Sequence, residues 1–245
     1  MLDFNSIQAR RGGERLLVNL DTKVKICGIT RAEDATAAAA AGADYLGLII
    51  ECPASPRSLT TEQARRVGAS VSLPVIAVTV NLPIEKLLEI IEALSPWGLQ
   101  LHGNEPAEQV AELRQKADCE IWKTLHFEAQ TLISADELNC HLRRAEEYLA
   151  AGVECILLDA ASGTGRQRQL GGTGQTVHWQ RAAEFVNAVR CPVILAGGLN
   201  PANVGEAVRV VRPFAVDVSS GVESQPGIKD RNKIASFIAS VRGTC

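Results

Sequence analysis

Two side chains in this sequence stand where a bound ligand could exchange protons with them. Cys27 closes the apolar run of KICGIT, and Asp159 closes that of ILLDA. A thiol and a carboxyl brought to one ligand form an acid–base pair, able to move protons on and off carbon and oxygen. An acid at the end of an apolar run is costly to bury unless it is paired or used, although an aspartate there can also simply cap the next loop. A lone cysteine in an apolar strand is usually a small core residue. Cys27 differs in its place at the strand end, with Lys25 two positions earlier on the same strand face and Gly28 letting a ligand approach the backbone. Cys119, Cys140, Cys155, Cys191 and Cys245 fall at strand beginnings, in helices or at the last residue, and no role is expected of them.

Three further side chains and two loops could bind what this pair acts on. Gln100 and His102 share a strand face in QLHG. His126, His141 and His178 have no metal-ligand spacing with His102, so a hydrogen-bonding histidine is expected and a metal is not. Arg57, in the loop ECPASPRSLT, carries a planar fork suited to clamping a carboxylate. Ala196-Gly197-Gly198 and Ser219-Ser220-Gly221 each end an apolar run and are expected to lead into helix starts, where backbone N–H groups can surround a phosphate. Glycines that merely make tight turns are the plain alternative for either loop taken singly.

The elements that must position these residues are legible from periodicity. From Lys23 onward, KVKICGI, YLGLII, PVIAVTV, GLQLHG, EIWKTLH, CILLDA, PVILAGG and AVDVSSG alternate with helical patterns. Eight such units predict an α/β protein built as a single (β/α)8 TIM barrel over residues 23–245, with residues 1–22 an extension. Apolar stripes at helical spacing occur at Ile84, Leu87, Leu88 and Ile91, at Val204, Ala207, Val208 and Val211, and at Ile234, Phe237, Ile238 and Val241. Thr30-x-x-Glu33 and Ser134-x-x-Glu137 predict capping boxes, and Asn200-Pro201 predicts a cap followed by a first-turn proline. An open dinucleotide-binding sheet is disfavoured because no G-x-G-x-x-G follows the first strand; the GGTG at Gly171–Gly174 reads as a flap. In a barrel of this kind the ligand lies at the carboxyl ends of the strands, where Cys27, Arg57, His102, Asp159 and both glycine loops fall.

The composition narrows the partner. Hydrophobic residues make up 46% and charged residues 22%, as in a chain able to bury a large core. A net charge of −3 with scattered lysines and arginines excludes the basic patch of a nucleic-acid binder and leaves a small phosphorylated molecule as the expected ligand. No apolar run is long enough to span a bilayer, and seven cysteines without C-x-x-C or a secretory leader fit a reducing cytoplasm better than a disulfide framework or zinc site. A monomer or a homodimer is expected.

Taken together these residues resemble the phosphoribosylanthranilate isomerase family, which performs an Amadori rearrangement in tryptophan biosynthesis. The resemblance runs from about Val24 to the last helix, through KICGIT, SPR, LQLHGNEP, LLDA followed by GGTG, LAGGLNP and DVSSGVESQPGIKD, in that order. It implies that Cys27 is the general base, Asp159 the general acid, and Arg57 a contact of the anthranilate end. Gly197, Gly198, Ser220 and Gly221 would then hold the phosphate. No metal or organic cofactor is implied, because the substrate's own nitrogen serves as electron sink. The chain departs from the family in a longer segment between Asp159 and Gly171, in Gln175 where lysine is common, and in His178 where an acidic residue is usual. Its rivals are a histidine-pathway aminoaldose isomerase, which pairs two aspartates and is opposed by Cys27, a flavin-binding barrel, and a phosphometabolite-binding barrel without catalysis.

Overall fold

The computed structural model describes residues 21–128, 134–162, 169–170 and 176–244. Eight parallel strands close into a barrel: β1 (Lys23–Cys27), β2 (Tyr45–Ile50), β3 (Val75–Thr79), β4 (Gly98–Leu101), β5 (Glu120–Glu128), β6 (Cys155–Ser162), β7 (Val193–Leu195) and β8 (Ala215–Val218). Each pairs with its neighbours in chain order, and β1 closes the ring against β8 with Lys25 opposite Asp217. The helices are α1 (Ala32–Ala40), α2 (Thr61–Gly68), α3 (Ile84–Leu94), α4 (Ala107–Arg114), α5 (Ala135–Ala150), α6 (Trp179–Ala188), α7 (Val204–Val211) and α8 (Arg231–Arg242). The expected barrel is therefore the observed one. Residues 1–20, the GGTG at 171–174, Gln175 and Cys245 lie outside the described residues.

Strand alternation divides the core in two. Residues such as Val24, Ile26, Leu46, Leu48, Leu99 and Ile156 face the helices and pack with the buried stripes of α7 (Val204, Ala207, Val208, Val211) and α8 (Ile234, Phe237, Ile238, Val241). On α3 the fully buried residues are Leu87 and Ile90, with Leu88 and Ile91 partly buried beside them. The alternate positions, among them Cys27, Tyr45, Ile76, Val78, Trp122, Leu157 and Ile194, form a second cluster inside the barrel. At its amino-terminal end Tyr45, Trp97 and Trp122 meet with ring centroids 5.4, 5.5 and 5.9 Å apart, so the barrel is filled rather than hollow.

Helix starts depart from the sequence signals in three places. Ser134 and Glu137 make the predicted capping box, and Thr60 with Gln63 makes another of the same pattern. Thr30 does not cap α1: its hydroxyl donates to the Gly227 carbonyl at 2.5 Å, tying the first loop to the last, and Arg31 takes the N-cap position without a side-chain cap. Asn200 caps a turn ahead of α7, accepting from the Ala202 N–H at 2.9 Å, while Asn203 is the N-cap of the helix. After β8, Ser220–Val222 form a single 3-10 turn, followed by a hairpin of Glu223–Gln225 with Ile228–Lys229 before α8 begins. The expectation that the eighth loop opens directly into a helix is thus corrected. Arg242 in α8 reaches back to the Thr22 carbonyl and to Asp44, both at 2.7 Å, fastening the last helix to the first strand.

Candidate active site

The inward faces of β1, β4, β5, β6 and β8 carry polar side chains above the apolar plug. Lys25 is fully enclosed and donates to Gln100 Oε1 at 2.9 Å and to Asp217 Oδ1 at 3.1 Å. Burial alone would lower its pKa, but Asp217 and Cys27 outweigh it and hold the ammonium above its ordinary value. Gln100 Nε2 continues the network to Thr124 Oγ1 at 3.2 Å and to His102 Nδ1 at 3.1 Å, and Thr124 Oγ1 also meets His102 Nδ1 at 3.1 Å.

Asp159 stands at the end of this chain of contacts, with His102 Nε2 3.4 Å from its Oδ2 and the Ala160 N–H donating to its Oδ1 at 2.8 Å. Burial first, and the Asp217 carboxylate second, raise its pKa to about 7. The group can therefore hold a proton at neutral pH, as an acid must. Cys27 lies 6% exposed opposite Gly47 of β2, and a Cβ at Gly47 would come within 2.7 Å of the Cys27 sulfur. Its thiol pKa is raised, by burial and then by Asp217, against the opposing pull of Lys25 and Lys229. Lys25, two positions away on the same strand face, thus gives no net lowering: burial and Asp217, which raise the Asp159 pKa, also disfavour the thiolate.

His126 joins this group, contrary to the expectation from spacing. It donates through Nε2 to the His102 carbonyl at 2.9 Å, and one ligating atom each of His102, His126 and Asp159 lies within 4.8 Å of the others. Adjacent strands supply them, since His126 is the register partner of Asp159. Burial, then His126, Lys25 and Lys123, keep the His102 pKa well below its ordinary value.

Arg57 also reaches the barrel mouth, its stem lying where a Cβ on Gly28 would be, 2.6 Å from Cδ. Its Nε and Nη2 fork is occupied by Glu223, at 2.7 Å each, and Glu223 also accepts from Lys229 Nζ at 2.9 Å. Although burial raises the Glu223 pKa, these two cations hold it below the usual value. Arg57 is thus a clamp already closed on a protein carboxylate along one edge. At the two glycine loops, Gly197 and Gly198 adopt φ of 81° and 61°, which only glycine takes without strain. A side chain on Gly221 would overlap the Leu199 carbonyl oxygen, so this glycine packs the seventh loop against the eighth. Ser219 opens the eighth loop, its carbonyl accepting from Lys229 Nζ at 3.0 Å.

Comparison with known proteins accounts for this arrangement. The family model described as N-(5'phosphoribosyl)anthranilate (PRA) isomerase matches residues 24–240. The chain belongs to this isomerase family. It is 42% identical over 224 residues to the N-(5'-phosphoribosyl)anthranilate isomerase of Pseudomonas syringae pv. tomato, covering 90% of this chain and 97% of the relative. The crystal structure of phosphoribosyl anthranilate isomerase from Thermotoga maritima superposes with a TM-score of 0.75 at 34% identity, over 91% of this chain and 99% of the other. A further phosphoribosyl anthranilate isomerase structure, in complex with reduced 1-(o-carboxyphenylamino)-1-deoxyribulose 5-phosphate, gives 0.73 at 33% identity with the same coverage.

Within the isomerase barrel the structure gathers Cys27, Lys25, Arg57, Gln100, His102, Asp159 and both glycine loops at one end, as the sequence suggested. It adds Asp217, Thr124, His126, Glu223 and Lys229. Asp217 carries the same signal as Asp159, an acid inside an apolar run, and was legible on that ground. Thr124 and His126 alternate along one strand in KTLH, but nothing local tells them from ordinary strand residues.

Proposed function

We propose that this chain converts N-(5-phosphoribosyl)anthranilate to 1-(2-carboxyphenylamino)-1-deoxyribulose 5-phosphate, with Asp159 as general acid and Cys27 as general base. The observation that carries the reading is the enclosed Asp159 carboxyl, held up to about 7 at the carboxyl end of β6. Asp159 gives its proton to the furanose ring oxygen. The ring C1′–O bond breaks as the nitrogen lone pair forms C=N, and the ring opens to a Schiff base. Cys27, as thiolate, takes the proton from C2′, and the C–H electrons pass to the nitrogen to give the enolamine. Tautomerisation gives the ketose, so hydrogen moves within one molecule and no external oxidant is consumed.

The loops at Gly197–Gly198, with its positive-φ backbone, and at Ser219–Gly221, which opens a 3-10 turn, hold the phosphate on their N–H groups, and this remote contact orients the reacting carbons. Arg57 meets the anthranilate carboxylate with the end of the guanidinium that Glu223 leaves open. Among the described residues no helix is long and apolar enough to cross a membrane; we assign the reaction to the cytoplasm, whose reducing conditions suit a free catalytic thiol.

The test is loss of anthranilate-adduct fluorescence when the protein meets freshly made phosphoribosylanthranilate. Cys27→Ala and Asp159→Asn should each bind inorganic phosphate and unfold like the parent, yet lose on the order of 10²–10⁴-fold in rate. Turnover by either variant within a few-fold of the parent refutes the acid–base assignment.

A further inference from the structure

We infer that Gln100 is a positioning residue, which the buried Lys25 ammonium orients so that His102 is fixed as a neutral Nε2–H tautomer aimed at Asp159. This inference rests on the reading of Asp159 as the general acid. Lys25 has only donors to offer, and it lies 2.9 Å from one end of the Gln100 amide. That end must be the carbonyl oxygen, since the opposite orientation would set an N–H against an ammonium inside the barrel. The amide NH2 then faces Thr124 Oγ1 at 3.2 Å and His102 Nδ1 at 3.1 Å. His102 Nδ1 is thereby an acceptor, and the Thr124 hydroxyl, 3.1 Å away, can donate to the same nitrogen. A neutral imidazole whose Nδ1 accepts must carry its hydrogen on Nε2.

That hydrogen points at Asp159 Oδ2, 3.4 Å away. The Ala160 N–H already serves Oδ1, so both carboxylate oxygens have a donor once the acid has released its proton. The hydrogen bonds strengthen as charge develops, which favours the transfer. Charging His102 would require a hydrogen on Nδ1 facing the amide N–H, and the groups around it (His126, Lys25 and Lys123, with Asp159 the only acid touching the ring among the described residues) leave it neutral. The same tautomer disfavours a metal among His102, His126 and Asp159: a ligating Nε2 would have to lose its hydrogen and force one onto the blocked Nδ1.

The experiment is long-range 15N–1H correlation of the histidine rings in the substrate-free protein, with His102 assigned by the signals missing in His102→Gln. The expected result is a protonated Nε2 and a bare Nδ1 that do not change between about pH 5 and about pH 8. In Gln100→Glu, an isosteric carboxylate keeps an acceptor for Lys25 but offers no N–H. His102 should then take a hydrogen on Nδ1 and titrate within that range, and kcat should fall on the order of ten- to a hundredfold with KM little changed. Thr124→Val removes the hydroxyl but leaves the amide, so the parent tautomer should persist. A parent His102 protonated on Nδ1, a Gln100→Glu spectrum identical to the parent's, or a tautomer lost in Thr124→Val would each overturn the inference. Stoichiometric Zn2+ binding that removes the His102 Nε2–H signal would do so as well. None of these four overturning results needs turnover, so they stand apart from the failure of Asp159 as acid, which Asp159→Asn reports by itself.

Discussion

At the scale of single residues, the acid and base carry their protons in the less reactive order. Asp159 titrates at about 7 and the Cys27 thiol above its ordinary 9.0, so the reactive pair of carboxylic acid and thiolate is the minor form at every pH. The fraction in that form rises as Cys27 ionises, levels once Asp159 begins to lose its proton near 7, and falls above the thiol pKa. The expected pH profile of kcat/KM is therefore a bell with its lower limb near 7 and its upper limb above 9, its plateau on the alkaline side of neutral. Rates that peak at about pH 6 and decline by about pH 8 would contradict it. Arg57→Lys keeps a charge but loses the fork shared with Glu223 and the substrate carboxylate. KM should rise about ten- to a hundredfold, corresponding to the ~1.5–3 kcal/mol of a hydrogen bond to a charged group, with kcat changing less. Cys27, Arg57 and Asp159 could be singled out in the sequence as candidates. The raised pKa values of Cys27 and Asp159 could not be read there, because they depend on burial in the closed barrel and on Asp217, which the barrel brings up from the last strand.

At the scale of elements, alternation and helical stripes were readable because each is a local pattern repeated over many residues, and the inward set of β1 is simply Lys25 and Cys27 two positions apart. Cap positions were less readable. Thr30 carries a capping signature but spends its hydroxyl on Gly227, almost two hundred positions away, and no local rule sees that competitor. Gly47 is another such case, a glycine in a strand whose reason is the sulfur of Cys27 across the ladder. A Cβ there would stand 2.7 Å from Sγ and 3.0 Å from the Cys27 Cα, so Gly47→Ala should cost about 1–3 kcal/mol of stability and push the thiol out of line. Gly68→Ala, whose Cβ meets nothing closer than 3.7 Å, is the control and should be neutral or stabilising. Denaturant midpoints and kcat of the two variants decide the point; equal behaviour would show that the β1–β2 ladder has slack at the thiol.

For the whole molecule, the acids with raised pKa values, Glu120, Glu154 and Asp159, bear on how stability responds to pH. Glu120, half-buried at the start of β5, is pushed up to about 7 by burial despite the hydrogen bond it accepts from Trp122 Nε1, and Asp159 reaches about 7 as well. The unfolded chain releases these protons first as pH rises, so their contribution to stability is fully present below the ordinary carboxyl range and is lost up to about 7. His102, held well below its ordinary pKa, opposes part of this decline by favouring the folded state as pH rises. Urea midpoints measured across this range should fall with pH, and Glu120→Gln should flatten part of the slope; a midpoint that climbs steadily to neutral pH would contradict this. The barrel's closing seam has a different consequence, for the chain while it is being made. Lys25 meets Asp217 across a separation of 192 residues. At about 5–20 residues per second, a ribosome leaves the first strand roughly ten to forty seconds with an unpaired edge and a lysine without its counter-ion. Nascent chains stalled before β8 emerges should be protease-sensitive and chaperone-bound, whereas chains stalled after α8 has cleared the exit tunnel should resist digestion, because the final strand and helix complete the ring for every strand before them.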